Sequence, residues 1–179
     1  MIKRLARKFL RFRRDEDGSA MVIEFVIFVP MLLGAFLMAA EMGVYSMRQM
    51  FLDRGLDLAV RYVRLNTNVP LTHRQLKDMV CGYSGFVPDC GNTLRLEMTP
   101  IDPRQFASLP PLPDCVDVSE PVSPVRGFTL GQEQQMMLLR ACVKFKPMYP
   151  TTGLGFAWEK DGSGRARMVS MAAFVQEPG

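Results

Sequence analysis

Hydrophobic residues fill one long stretch near the start of the chain. Between Ala20 and Ala40 the only ionisable side chain is Glu24, and Pro30 is the only proline. A helix of these 21 residues would be about 30 Å long, which matches the hydrocarbon core of a bilayer. The pattern therefore predicts a single membrane-spanning helix over residues 19–41, with a kink at Pro30.

Positive charge is concentrated before this stretch. Residues 1–14 contain seven Lys or Arg side chains and no acid, whereas from Ser19 onward 15 Lys and Arg balance 15 Asp and Glu. By the positive-inside rule, residues 1–18 form a basic cytoplasmic leader and the chain beyond the span is exported. The neutral exported part has no basic cluster, which argues against a nucleic-acid partner and leaves the lipid bilayer as the partner of the span.

The helix is expected to be retained and to continue beyond the membrane. The apolar run is longer than the core of a cleaved secretory signal and does not end in a clear A-x-A site. Beyond it, apolar residues recur at spacings of 4, 3 and 4, at Leu52, Leu56, Ala59 and Val63. They predict an amphipathic helix extension over residues 42–66, which Asn66 and Pro70 terminate.

The remaining residues, 67–179, predict a small α+β domain. Thr72 and Gln75 form a capping box that starts a second helix and leaves His73 as a solvated residue of its first turn. Beyond Cys90 the hydrophobic period changes from 3.6 to 2, which is typical of half-buried strands. Strands are predicted over residues 94–99, 135–146 and 167–175. They predict a small antiparallel sheet packed on the projecting part of the long helix.

The cysteines all lie in the exported part, at Cys81, Cys90, Cys115 and Cys142. In a compartment that oxidises thiols they predict two disulfides, for which three pairings are possible. Cys81–Cys90 with Cys115–Cys142 is favoured, since the first pair closes a short loop that contains glycines. Seven prolines predict a surface loop over residues 100–124. If Cys142 faces away from the apolar side of its strand, its disulfide joins the sheet to that loop.

Catalytic and cofactor sites are not predicted. His73 is the only histidine, and the sequence has neither a glycine-rich phosphate loop nor a carboxylate pair in an apolar context. The spacing of Cys81 and Cys90 fits neither a redox CxxC motif nor a zinc site. The chain is therefore expected to be neither an enzyme nor a metal-binding or cofactor-binding protein.

A motif marks the start of the span. Gly18 and Ser19 are followed by Glu24 and then by the apolar run with Pro30, an arrangement that resembles the class III signal of type IV pilins and pseudopilins. Over about residues 15–65 the chain carries the longer pattern EDGSAMVIEFVIFVPMLLGAFLMAAEMG. This pattern resembles the TadE-like family, minor pseudopilins of the tight-adherence (Tad/Flp) pilus assembly system.

The resemblance implies a pilin-like subunit of a bacterial inner membrane, with its N-terminus in the cytoplasm and its C-terminal domain in the periplasm. In that family a prepilin peptidase cuts after the Gly, and a Glu at the fifth mature position guides processing and packing. Cleavage after Gly18 would make Glu24 the sixth residue and cleavage after Ser19 the fifth, so both residues mark candidate processing sites. Glu24 is the candidate assembly carboxylate. Other pilins or pseudopilins and the inner-membrane pilus assembly platform are the implied partners.

Two functions are consistent with the sequence. The first is a minor pseudopilin that inserts by its helix and primes or joins a filament. The second is a permanently anchored periplasmic binding or scaffold protein that needs no prepilin processing. Two interpretations of Glu24 remain. Its carboxylate either reaches water at the cytoplasmic interface or pairs with a cation on a neighbouring helix, such as a free amine.

Overall fold

The structure is a computed structural model that describes residues 19–67, 69–102, 104, 112–113, 115–116 and 127–178, with side chains from residue 21 onward. The predicted leader with Gly18, the side chain of Ser19, and most of the Pro-rich stretch 100–124 lie outside the described residues. The chain divides into two compact units, Met1–Ala40 and Glu41–Gly179.

One helix, α1 (Ser19–Leu65), contributes residues to both units. Its 47 residues include Pro30 without an interruption of the helix. Because proline has no backbone N–H, the carbonyl of Val26 lacks its usual helical donor. The helix ends one residue before the predicted limit at residue 66, as expected from the turn residues that follow.

The described residues of the second unit form further helices and strands. In chain order these are α2 (His73–Tyr83), α3 (Cys90–Thr93), β1 (Leu94–Pro100), β2 (Met136–Phe145), α4 (Gly153–Ala157) and β3 (Ala166–Val175). The predicted capping box starts α2: Thr72 Oγ1 accepts the Gln75 N–H at 3.3 Å, and Gln75 Oε1 accepts the Thr72 N–H at 2.9 Å. The three predicted strands are confirmed to within one residue at each end.

The strands form one antiparallel sheet in the order β1-β2-β3, with Leu96 opposite Ala141 and Ala141 opposite Ser170. One face of the sheet shares a hydrophobic core with the predicted stripe of α1, whose members are at most 4% exposed: Leu52, Leu56, Ala59 and Val63. Burial of each Leu or Val side chain contributes about 1.5 to 3 kcal/mol. The α+β fold, with the second half of a long helix packed on a small antiparallel sheet, is therefore confirmed.

Residues that follow β3 donate hydrogen bonds to the carbonyl groups at the C-terminal end of α1. Gln176 Nε2 donates to the Val63 carbonyl at 3.0 Å, and the Glu177 N–H donates to the Arg64 carbonyl at 3.3 Å. The last carbonyls of a helix have no partner within the helix. Here residues 113 positions away in sequence supply donors, so β3 and the end of α1 are held together.

Two disulfides bridge elements of the second unit. Cys81–Cys90 joins α2 to α3, and Cys115–Cys142 joins residues 115–116 to β2. This is the pairing favoured from the sequence. Cys142 alternates with the core residues of β2 and so lies on the outer face of the sheet, as its place in the period-2 pattern suggests.

Gly55 permits close contact between α1 and the end of α2. A Cβ atom at this position would collide with the side chain of Ser84 and would lie 2.9 Å from the Val80 carbonyl oxygen. That carbonyl already accepts the Ser84 N–H at 2.9 Å, which caps α2. Glycine at this point of the helix is therefore a packing requirement, although it lowers helix propensity.

We expect Gly55→Ala to destabilise the fold by about 1 to 3 kcal/mol, because overpacking a tight contact exceeds the gain in helix propensity. The measurement is urea unfolding of the detergent-solubilised full chain, followed by the fluorescence of Trp158. Gly43→Ala is the matched control, since no atom lies within 4 Å of a Cβ there. Equal stability of the two variants would contradict the packing role of Gly55.

Candidate functional site

The first unit presents an apolar surface. Most of the large hydrophobic side chains from Met21 to Met38 are exposed, and Met21 is 82% exposed. An 18-residue window of α1 has a mean hydropathy of 2.4, and none of it is buried within the protein. Soluble proteins rarely expose a continuous apolar patch larger than about a few hundred Å². The helix is thus long and apolar enough to cross a membrane.

Glu24 lies on this surface, beside Met21, Phe25 and Phe28. Its side chain is exposed, and among the described residues no hydrogen bond or ion pair involves its carboxylate. A charged residue at the centre of a membrane helix costs about 2.5 to 3.5 kcal/mol even on insertion scales. If this part of α1 crosses a membrane, the carboxylate requires either water or a cation outside the described part of the chain. Pro30 lies on the same helix, and the processing candidates Gly18 and Ser19 precede the first described side chain.

A second carboxylate, Glu41, follows directly after the apolar run and belongs to the second unit. Its side chain is only 4% exposed. One of its oxygens accepts the Met148 N–H at 2.8 Å and the other accepts the Tyr149 N–H at 2.9 Å. Sequence reasoning missed this residue. An acidic residue at the end of an apolar stretch indicates that its carboxylate has a hydrogen-bonding partner. The sequence does not show which partner that is, because Met148 lies 107 residues away.

Aromatic rings surround the same end of the second unit. Tyr45, Phe145 and Trp158 form a cluster with ring centroids 5.2 to 5.7 Å apart. The Arg48 guanidinium carbon lies 5.8 Å from the centroid of the Phe145 ring, within the range of a cation–π contact. The cluster fixes the segment after β2 against the first turns of α1 in this unit. The sequence pattern predicted none of these contacts.

The prediction that His73 is solvated is wrong, because the residue is half-buried. Its ring meets that of Phe128 edge-on, at 5.3 Å between centroids. Burial lowers the pKa of His73 below 6.5, and the nearby charge of Lys77 lowers it further, against an opposing backbone contact with Leu96. The neutral imidazole is therefore the form that the folded protein favours.

Metal-binding and nucleophilic groups are not assembled in the part of the chain that the structure describes. No group of three or more His, Cys, Asp or Glu side chains among those residues could hold a metal ion. All four cysteines are in disulfides, so none is available as a thiolate.

We expect Glu41→Gln to destabilise the second unit by about 1.5 to 3 kcal/mol, the value of a hydrogen bond to a charged group. The amide keeps one acceptor oxygen but turns an NH₂ group towards a backbone N–H. Urea unfolding of the full chain in detergent measures the change, with Trp158 as the reporter in the adjoining aromatic cluster.

Glu159→Gln is the matched control for this substitution. The Glu159 side chain is 79% exposed and pairs with Arg167 on the surface. Exposed ion pairs of this kind contribute about 0 to 1 kcal/mol. A Glu41→Gln variant as stable as Glu159→Gln would show that the contacts of Glu41 with Met148 and Tyr149 do not support the fold.

Acidification should destabilise the protein through His73. Because its pKa is lower in the folded chain than 6.5, the unfolded chain binds more protons between the two values, and stability rises with pH across that window. At pH values below the folded pKa, His73 is protonated in both states and the loss of folding stability reaches its full size. We expect the urea midpoint to fall as the pH is lowered from about 7.5 to about 5, and His73→Gln to remove part of that slope. Identical slopes for wild type and variant would contradict this expectation.

Comparison of the chain with protein-family models, with curated proteins and with solved structures gives no match.

Proposed function

We propose that the chain is a minor pseudopilin of a Tad (Flp, type IVc) pilus system, anchored in a bacterial inner membrane with its C-terminal domain in the periplasm. The observation that carries this proposal is the continuous helix Ser19–Leu65, whose two halves differ in their surroundings. The first half exposes apolar side chains around one carboxylate, and the second half belongs to the core of a folded α+β unit. The resemblance of residues 15–65 to the TadE-like family supports the same assignment.

The proposed mechanism is assembly rather than catalysis. The apolar half of α1 inserts into the bilayer, with the basic leader on the cytoplasmic side. The second unit folds in the periplasm, where an oxidising environment forms its two disulfides. Apolar helices of neighbouring subunits then pack side by side, and the platform of the pilus system moves the subunit out of the membrane.

Glu24 supplies the polar contact in this mechanism. A free N-terminal amine, created by a prepilin peptidase after Gly18 or Ser19, would neutralise the Glu24 carboxylate of a neighbouring subunit. Such pairing removes the cost of a lone charge in hydrocarbon, so subunits that pair are favoured over isolated ones. The exposure of Glu24 among apolar side chains of α1 is consistent with this role.

A permanently anchored periplasmic binding or scaffold protein is the second candidate. The observation that favours it is the spacing between Gly18 and Glu24, which places the carboxylate one residue later than a cut after the glycine requires. This candidate needs the same membrane anchor and the same exported unit. It differs in predicting an intact leader and no dependence on a prepilin peptidase.

We expect the intact mass of the protein purified from its own membranes to be lower than the full-length mass by the mass of residues 1–18 or 1–19. A methyl group on the new N-terminal amine would add its own mass to this value. Expression without the prepilin peptidase should restore the full-length mass.

In a second measurement, Glu24→Ala should lower incorporation into filaments by about three- to thirty-fold, because interhelical polar contacts in membranes contribute about 0.6 to 2 kcal/mol.

Glu159→Ala is the matched control for removal of a carboxylate, since this side chain is 79% exposed and lies outside the apolar half of α1. It should leave filament incorporation close to the wild-type value. A full-length mass from the native membrane, together with unchanged incorporation of Glu24→Ala, would reject the pseudopilin and leave the anchored periplasmic protein.

A further inference from the structure

The segment after β2 exposes apolar side chains at one end of the second unit. It comprises residues 147–158 and is termed the aromatic loop below. Phe156 is 72% exposed, more than any other large hydrophobic side chain among the described residues of this unit, and Met148 is 48% exposed. Exposed large hydrophobic groups that lie in one loop of a small domain are a signal for an interaction surface.

The aromatic loop is held in place rather than loosely attached. Both oxygens of the Glu41 carboxylate accept backbone N–H groups of this loop, at 2.8 and 2.9 Å. Lys160 Nζ donates to the Pro150 carbonyl at 3.0 Å. Trp158, at the end of the loop, packs against Tyr45 with ring centroids 5.2 Å apart. The exposed Phe156 and Met148 side chains are therefore presented by a segment of defined geometry, which reduces the entropic cost of binding.

The position of the loop along α1 identifies what it faces. Glu41 is the residue directly after Ala40, the last of the apolar run, and it contacts the loop itself. If residues 20–40 span the bilayer, as the proposed function requires, the outer headgroup region begins at Glu41. Met148 and Tyr149, whose backbone N–H groups bind the Glu41 carboxylate, then lie at the start of that region.

The side chains of this region have the composition of a membrane interface. Trp and Tyr side chains are enriched at the level of the lipid headgroups, where an apolar ring and a polar tip are both satisfied. The only Trp of the chain, Trp158, and two of its four Tyr residues, Tyr45 and Tyr149, lie here. Lys146 is exposed and Lys160 lies 5.8 Å from the Phe156 ring, so cations for lipid phosphates flank the apolar group.

We propose that the aromatic loop is a second membrane contact, in which Phe156 and Met148 insert into the headgroup boundary of the outer leaflet beside the spanning helix. This inference rests on the span of the proposed function. The Glu41 carboxylate positions the loop, and the lysines contact lipid phosphates. The interfacial contact has to be released before a subunit leaves the bilayer.

The test uses the full chain with a single Trp reporter at one of three aromatic positions, in a Trp158→Phe background. Phe156→Trp reports on the loop, Phe28→Trp on the span, and Tyr62→Trp on a site of α1 about 30 Å along the helix from Glu41. Each variant is reconstituted in phosphatidylethanolamine/phosphatidylglycerol vesicles. These contain phosphatidylcholine brominated either near the headgroup or near the ends of the acyl chains, and circular dichroism checks the fold.

The expected result is a loss of fluorescence at position 156 that is larger with shallow than with deep bromines. Position 28 should be quenched by acyl-chain bromines, and position 62 should be unaffected. Quenching at position 28 with position 156 as unaffected as position 62 would overturn the loop contact and leave the span intact. Absence of quenching at position 28 would overturn the span itself. A signal at position 156 that changes with protein density, but not with bromine, would assign the loop to a second copy of the chain and also overturn the proposal.

Discussion

The burial of one stripe of α1 against the inner face of the sheet is the interaction on which the second unit depends. Leu52, Leu56, Ala59 and Val63 are almost fully removed from water, and they share one core with all three strands. The other contacts of the unit are arranged around this one. Gly55 permits the approach of α2, and the residues after β3 supply donors to the last carbonyls of α1. A change that weakens the stripe therefore weakens helix, sheet and chain terminus together.

The same helix meets two different environments because its composition changes near residue 41. After that residue apolar side chains form a stripe and find their partners within the protein, whereas before it they point in all directions and most remain exposed. A helix that is apolar all round has no water-facing side, so its stable environment is hydrocarbon or other apolar helices. This difference is the physical basis for the proposed function, in which one half of the helix is the membrane anchor and the second unit folds around the other half.

The carboxylates at the two ends of the apolar run illustrate how location determines the role of an acid. Glu41 is buried, and each of its oxygens accepts a backbone N–H group. Glu24 is exposed on an apolar surface, and in the proposed function a neighbouring subunit or the membrane interface satisfies it. Glu97 shows a third solution, since it forms an ion pair with the nearly buried Arg140 across the sheet at 2.7 Å. Glu41 stabilises the folded unit, while Glu24 is available to a partner.

Local patterns in the sequence were sufficient for the apolar run, the stripe of α1, the capping box of Thr72, the three strands and the favoured disulfide pairing. The first four depend on residues close together in the chain, or on a periodicity of 3.6 or 2 that follows directly from backbone geometry. The disulfide pairing followed from the short loop that Cys81–Cys90 closes, which leaves Cys115 to pair with Cys142, 27 positions away. Only the tertiary structure decided the partners of Glu41, the contact of Gly55 with Ser84, and the burial of His73 against Phe128. These contacts join residues between 29 and 108 positions apart, and no local rule of spacing or propensity specifies which distant groups will meet.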